Sequence, residues 1–205
     1  MKITKISGLL ISAGLSVRMG SFKPLMNYEG EPFVVVIVKK LLKFCERVII
    51  VTGYKSDEIE LVLNSQFLNS SISQLRNRIF IVFNADYEKG MFTSLKTGIK
   101  ELHNSDWVLY HFVDQPFFPE NFYEDLISRI NAESDWIQPV HQGEEGHPLL
   151  FNKKVVEMIA KSFFDSNLRT IRNLPAVRKN YWECNYPEVL LDFDTPEEIE
   201  KFINR

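Results

Sequence analysis

Cysteine is scarce: two residues in 205, Cys45 and Cys184, neither of them in a Cys-x-x-Cys pair. That excludes a disulfide framework and a thiolate metal cluster, and both thiols read as apolar packing in a reducing compartment. There are only four histidines, and His103, His111 and His141 lack metal-ligand spacing, so they read as structural or solvated. Charge of one sign is not in excess. A net charge of -3 implies no strong field toward nucleic acid or a membrane surface, and neither is expected as a partner. No apolar run reaches the length of a membrane span. Met1 to Lys5 lead straight into a strand-like run with no signal-peptide core, so a cytoplasmic protein is expected. Repeats, low-complexity tracts and an interdomain linker are absent as well. With 45% hydrophobic and 25% charged residues, the composition suits a single globular domain over residues 1–205.

What is present centres on Leu10 to Lys23, Leu-Ile-Ser-Ala-Gly-Leu-Ser-Val-Arg-Met-Gly-Ser-Phe-Lys. The apolar run Ile6 to Ile11 predicts a buried first strand. The chain then drops into small residues, Ser12, Ala13, Gly14, Ser16 and Gly20, with Arg18 and Lys23 in the same turn. Small residues let backbone N–H groups approach a ligand closely, and the cations supply charge to anionic oxygens. A triphosphate needs that combination at the end of a first strand. The plainer alternative is a Gly-rich turn with two solvated cations.

Further along, Glu31-Pro32 opens a helix through Phe44 with Lys39, Lys40 and Lys43 late, although Val34 to Val38 alone would suit a strand. Arg47 to Thr52 predicts a second strand and Ser56 to about Leu63 a helix, with Asn64 to Asn77 a loop or broken helix. Arg78 to Phe83 predicts a third strand, ending at Asn84. Gly90 to Ser94 reads as a loop whose Thr93 or Ser94 caps a helix from Leu95 to Leu102. Asp106 to Val113 predicts a fourth strand, ending at Asp114-Gln115-Pro116, and Glu120 to Asn131 a helix. This alternation predicts an α/β fold: a doubly wound, mostly parallel sheet with helices on both faces and a nucleotide-binding part over 1–131. The 132–205 part is less regular. Strands are expected at Asp135 to Val140, His147 to Phe151, Val177 to Cys184 and Val189 to Phe193. Helices are expected at Lys153 to Lys161 and Leu168 to Asn173, with a final one capped by Thr195 with Pro196 at its first position. In doubly wound sheets ligands bind beyond the carboxyl ends of the strands, where the Gly14 turn, Asn84, Gly90 to Ser94 and Asp114 converge.

Asp114 ends a strand at that edge, and Pro116 stops the ladder behind it. A lone carboxylate there suits a hard cation that also binds triphosphate oxygens, as Mg²⁺ does; a turn-capping aspartate is the alternative. Asp192 and Asp194 flank Phe193 in a strand-like stretch and point to opposite faces. Asp194, just before the Thr195-Pro196 cap, is the choice as second metal ligand, the alternative being two solvated or capping groups. A cationic turn, one metal site and no nucleophile beside a base together point to nucleotidyl transfer. In that reaction an acceptor phosphate attacks the α-phosphorus of a nucleoside triphosphate and pyrophosphate leaves. The protein's share is in-line positioning and charge neutralisation, by Lys23, Arg18 and the metal on Asp114.

Ser12 to Leu25 resembles the signature loop of the MobA-like nucleotidyltransferases, whose usual form begins Ala-Ala-Gly where this chain has Ser-Ala-Gly. Gly90 to Gly98, Asp114-Gln115-Pro116, Gly146-His147-Pro148 and Asp192 to Glu197 resemble later blocks of that family in the same order, so the likeness spans nearly the whole chain. Ala-Gly-x-Ser with Asp-Gln-Pro and Gly-His-Pro is similar to the branch that cytidylylates the molybdenum cofactor. The guanylyl branch typically has Gly-Gly where this chain has Gly14-Leu15. The resemblance implies a nucleotide-diphospho-sugar-transferase-like fold, CTP and the molybdopterin cofactor as substrates, Mg²⁺ as cofactor, and a molybdoenzyme as recipient of the product. It implies that Ser12, Ala13, Gly14 and Ser16 line base and phosphates. Arg18 and Lys23 would hold the triphosphate, with Asn84, Gly90 and Ser94 on base or ribose. Asp114 and Asp194 would bind Mg²⁺, and His147 and Arg169 would face the pterin from the 132–205 part. His147 as a plain turn residue before Pro148 stands beside that role, and Asp165 to Arg172 matches the family block only loosely.

Other readings stay open: a GTP-using relative, another sugar- or alcohol-phosphate nucleotidyltransferase, and a non-catalytic nucleotide-binding accessory protein. Intact Lys23, Asp114 and Asp194 argue against the last. A dinucleotide-binding oxidoreductase would need Gly-x-Gly-x-x-Gly and an acid after the second strand, where Val51-Thr52-Gly53-Tyr54 stands.

Overall fold

Aliphatic and β-branched runs set the strands, and a computed structural model describes residues 4–15, 22–68, 73–191 and 193. Strand β1 (Ile6–Ser12) is buried at every residue. A two-stranded ribbon follows, β2 (Asn27–Tyr28) and β3 (Glu31–Pro32), turning at Glu29 (φ 55°) and Gly30 (φ 87°). Asn27 Oδ1 accepts from the Gly30 N–H at 2.8 Å and steadies that turn. Pro32 is thus the cap residue of α1 (Phe33–Phe44), and the helix starts after Glu31-Pro32 rather than with it. The β-branched run Val34 to Val38 is helical because all of it is buried, and burial outweighs local propensity.

Strand β4 (Arg47–Thr52) leads to α2 (Ser56–Leu68), which runs past the expected end near Leu63. Ile59, Leu63 and Phe67 recur at four-residue spacing and are all buried, so the stripe holds Asn64 to Phe67 in the helix. Next come β5 (Ile79–Phe83), α3 (Met91–Ile99), β6 (Trp107–Phe112) and α4 (Glu120–Ser128). Helix α3 begins four residues before the predicted Leu95. Gly90, at φ 110°, is its cap residue, and Thr93 Oγ1 inside the first turn donates back to Gly90 O at 2.8 Å.

The last third holds β7 (Trp136–His141), β8 (Glu144–Glu145), β9 (Leu149–Asn152), α5 (Lys153–Lys161), α6 (Leu168–Arg172) and β10 (Lys179–Glu183). The strand expected at Val189 to Phe193 is not one. Pro187–Leu190 forms a 3₁₀ turn, because Pro187 fixes φ and lacks the N–H a ladder needs. The helix expected from Thr195 lies outside the described residues.

The main sheet runs β10-β7-β9-β6-β1-β4-β5, with β8 paired to β7. Strands β5, β4, β1 and β6 are parallel, and β9 runs antiparallel to both β6 and β7. Leu10, Ile50 and Leu109 pack toward α1, α2 and α4; Leu9, Ile11, Ile49 and Val51 pack toward α3, α5 and α6. The order of the parallel strands reverses between β1 and β6, so the chain leaves the sheet in opposite directions there and opens a crevice beyond Ile11 and Phe112.

Candidate active site

The crevice is built from strand ends. Ala13 and Gly14 follow β1, and Val113 and Asp114 follow β6. Helix α3 comes close from one side because a side chain at Gly98 would sit 2.4 Å from Leu9 Cδ1 and 2.7 Å from Val51 Cγ2. Lys23, at the start of a short 3₁₀ turn, crosses from the other side. Its Nζ lies 3.2 Å from Asp114 Oδ2, with the two side chains 14% and 26% exposed. The result is a cleft of about 360 Å³ lined by Ala13, Gly14, Lys23, Gly90, Ser94 and Asp114, all six named from the sequence.

Two other sequence-derived residues sit differently. Ser12 follows the alternation of β1 onto the Leu10 face, and its buried Oγ has no hydrogen-bond partner among the described residues. Asn84 is buried and occupied by the protein itself. Its amide donates to Thr93 Oγ1 at 2.9 Å and Ser94 Oγ at 3.0 Å, and its carbonyl accepts from Asp86 N and Thr97 Oγ1. Asn84 therefore ties the end of β5 to α3 and aims Ser94. Ser16, Arg18, Asp192 and Asp194 lie outside the described residues. Phe193, between the last two, packs on Phe117, three residues beyond Asp114.

The Asp114 turn is braced by groups that periodicity does not single out. Lys40 Nζ donates to Pro116 O at 2.6 Å and Phe118 O at 2.8 Å, and burial pulls its ammonium below the usual lysine range. Gln115 Nε2 donates to Leu191 O at 2.9 Å. The signal for Lys40 was its place among three late lysines, Lys39, Lys40 and Lys43, of a helix whose other residues are apolar.

A larger pocket of about 650 Å³ adjoins the cleft and shares Gly90, Met91 and Phe112 with it. His147 and Arg169 both line it, as the sequence suggested. The His147 ring lies 4.8 Å from that of Phe112, and its Nδ1 is buried with no hydrogen-bond partner among the described residues. Burial first, then the charge of Arg172, pushes its pKa down to about 4, so the imidazole is neutral at physiological pH. Arg172 was missed: Nη1 donates to Gln138 Oε1 at 3.1 Å and pairs with Glu145. Its signal was the Arg169/Arg172 spacing, three apart on one helix face.

Asp114 offers hard oxygen donors beside a cation, which fits a divalent ion taking one or two carboxylates plus phosphate oxygens. Among the described residues no cluster of three His, Cys, Asp or Glu side chains could hold a metal by itself, and no helix is long and apolar enough to cross a membrane.

The family model of the MobA-like NTP transferase domain matches residues 8–179. The chain is 29% identical over 198 residues to the molybdenum cofactor cytidylyltransferase of Escherichia coli (strain K12), covering 96% of this chain and 95% of that one. It is 27% identical over 146 residues to the molybdenum cofactor guanylyltransferase of Aliivibrio fischeri (strain MJ11), covering 65% and 70%. The fold is shared with a Mycobacterium tuberculosis H37Rv protein solved as a complex with manganese: TM-score 0.71, 16% identity, 98% and 99% of the two chains covered. A family match over that length, on a sheet with the strand order described above, means that the chain belongs to the MobA-like NTP transferase domain family and is a nucleotidyltransferase.

Proposed function

We propose that the protein transfers CMP from CTP to the phosphate of a molybdopterin-type cofactor, releasing pyrophosphate. The observation that carries this reading is the pair of adjoining pockets at the reversal point of the sheet. One holds Lys23 and Asp114, the other holds His147 and Arg169, and Gly90, Met91 and Phe112 form their common wall. A donor in the first and an acceptor in the second meet at that wall, which suits in-line displacement.

Lys23 neutralises charge on the triphosphate, aided by Arg18. Ala13, Gly14 and Ser16 line base and phosphates, with Ser12 contributing backbone only, and Ser94, held by Asn84, contacts base or ribose. Asp114, with Asp194, would hold Mg²⁺, whose chemistry here is to orient the phosphates and offset charge on the leaving pyrophosphate; the manganese complex of the M. tuberculosis protein supports a divalent ion. In the acceptor pocket, neutral His147 can hydrogen-bond an uncharged ring group, while Arg169 and Arg172 offer charge to the acceptor. Aromatic walls, including Tyr110, Phe112 and Trp136, suit a planar heteroaromatic acceptor. Residues 1–131 hold the nucleotide cleft and also give Phe92, Leu95, Tyr110 and Phe112 to the acceptor pocket, which 132–205 completes; the reaction takes place in the cytoplasm, with a molybdoenzyme receiving the product.

CTP is favoured over GTP on two grounds. Leu15, 42% exposed, borders the cleft and crowds a purine more than a pyrimidine. The E. coli cytidylyltransferase also aligns over 96% of the chain at 29% identity, against 55% to 83% of the chain at 24% to 28% identity for four guanylyltransferases. The test is a thermal-shift panel of CTP, GTP, ATP and UTP with Mg²⁺, since a ligand that binds only the folded state raises stability with its concentration. The largest shift is expected with CTP; a larger one with GTP would reassign the protein to guanylyl transfer.

A further inference from the structure

Helix α3 serves both pockets. Gly90, Met91 and Ser94 at its start border the nucleotide cleft, while Phe92 and Leu95 face the acceptor pocket. Its next residue, Lys96, is 9% exposed. Lys96 Nζ donates to Ala160 O at 3.3 Å and to Ser162 O, in the last turn and at the cap of α5. A helix end leaves such carbonyls without intrahelical partners and concentrates negative partial charge there, so a cation is the matching group. The same ammonium lies 4.7 Å from the centroid of the Phe164 ring. Phe164 stands on the rim of the acceptor pocket and is 67% exposed. A methionine would fill the space of Lys96 without burying an ammonium, so the position makes use of the charge.

We propose that Lys96 is a positioning residue for acceptor recognition: it fastens the 160–164 segment to the helix of the nucleotide cleft and holds the Phe164 ring as a stacking wall for the planar part of the acceptor. The cation against the ring and the aromatic residues already lining the pocket suit Phe164 to complete an aromatic slot. This inference rests on the transfer reaction proposed above.

The experiment is steady-state pyrophosphate release by the whole protein with CTP, Mg²⁺ and molybdopterin cofactor, varying each substrate in turn. Lys96→Met is expected to raise the acceptor KM about tenfold while leaving kcat and the CTP KM within about twofold. Lys96→Arg keeps a cation of similar reach and should restore the wild-type acceptor KM. Phe164→Ala should show the same selective rise as Lys96→Met, and the double variant should be no worse than Phe164→Ala, because both act through one contact. Equal rises in the two KM values, additive effects, or an unchanged acceptor KM in Phe164→Ala would overturn the proposal. Phe164 is exposed, so its variant remains a clean test even where Lys96→Met unfolds. Wild-type protein that turns over no acceptor overturns the transfer reading and this inference with it, whereas normal wild-type turnover with unselective variants overturns the inference alone.

Discussion

Replacing Lys23 by alanine separates catalysis from stability. Its side chain is largely shielded from water, and its Nζ sits 3.2 Å from Asp114 at the cleft where the triphosphate would lie. A preorganised donor removed from such a site commonly costs ~3 kcal/mol of transition-state stabilisation. At about 1.4 kcal/mol per factor of ten, the expected loss in kcat/KM is on the order of a hundredfold. The effect on folding should be small, because Asp114 keeps access to water. An ion pair of this exposure contributes about 0.5–1 kcal/mol, which in a chain of this size lowers Tm by only about 1–4 °C. The assay is pyrophosphate release against nucleotide concentration, paired with a melting curve. A folded Lys23→Ala protein with kcat/KM within about threefold of wild type would refute the role given to this lysine.

Asp114→Asn should keep the fold and largely abolish Mg²⁺-dependent transfer, since a neutral amide is a poorer ligand for a hard cation; metal-dependent turnover near wild type would exclude Asp114 as a ligand. Asp194→Asn should act in the same direction and Asp192→Asn less, as comparison of their metal dependence would show. His147, with its pKa pushed down to about 4, should show no protonation between about pH 5.5 and 8 when its ring is followed by NMR. Because that pKa lies below the unfolded value, His147 favours folding most fully above about pH 6.5 and progressively less as pH falls toward 4. A midpoint near 6.5 would mean that the ring is solvated. Asp135, 1% exposed, accepts from both arms of the Arg178 guanidinium, from Lys154 and from Asn152. Arg178 foremost holds its carboxyl well below the usual carboxylate range, so its contribution is present above about pH 4 and lost as pH falls below it. Asp135→Asn should cost about 3 kcal/mol in urea unfolding near pH 7 and less near pH 3. Equal stability of the two proteins at neutral pH would show the cluster to be weak.

The parallel half of the fold was legible because each of its strands is a short, largely apolar run closed by a polar residue, as at Ser12, Thr52, Asn84 and Asp114. Arg47 to Thr52 and Lys153 to Lys161 came out residue for residue. Antiparallel β9 did not. Direction is set by what a strand pairs with, and Leu149 to Asn152 carries no mark of the neighbours it slides between. The start of α3 was misplaced because the turn signal, Gly90, caps the helix with its backbone, so the hydroxyl of Thr93 was mistaken for the cap. At the cleft, residues marked by charge or small size could be named from the first loop, Gly14 and Lys23, and from a strand end, Asp114, and the three line one cavity. Those that work through long-range contacts were not. Lys40 reaches carbonyls 76 and 78 residues away, and Arg172 reaches Gln138 across 34. Local spacing puts Arg172 on the face of Arg169 but does not encode the distant partners of either Arg172 or Lys40.

The most direct measurement is the mass of the product formed when the protein, Mg²⁺ and each nucleoside triphosphate in turn are incubated with molybdopterin cofactor. The expected result is acceptor plus one cytidylyl group (CMP less a water), with pyrophosphate released in equal amount, from CTP in preference to GTP. A nucleotidylated acceptor formed equally well or better from GTP would contradict the cytidylyl assignment. Pyrophosphate release with no mass added to the acceptor would contradict the transfer reaction itself.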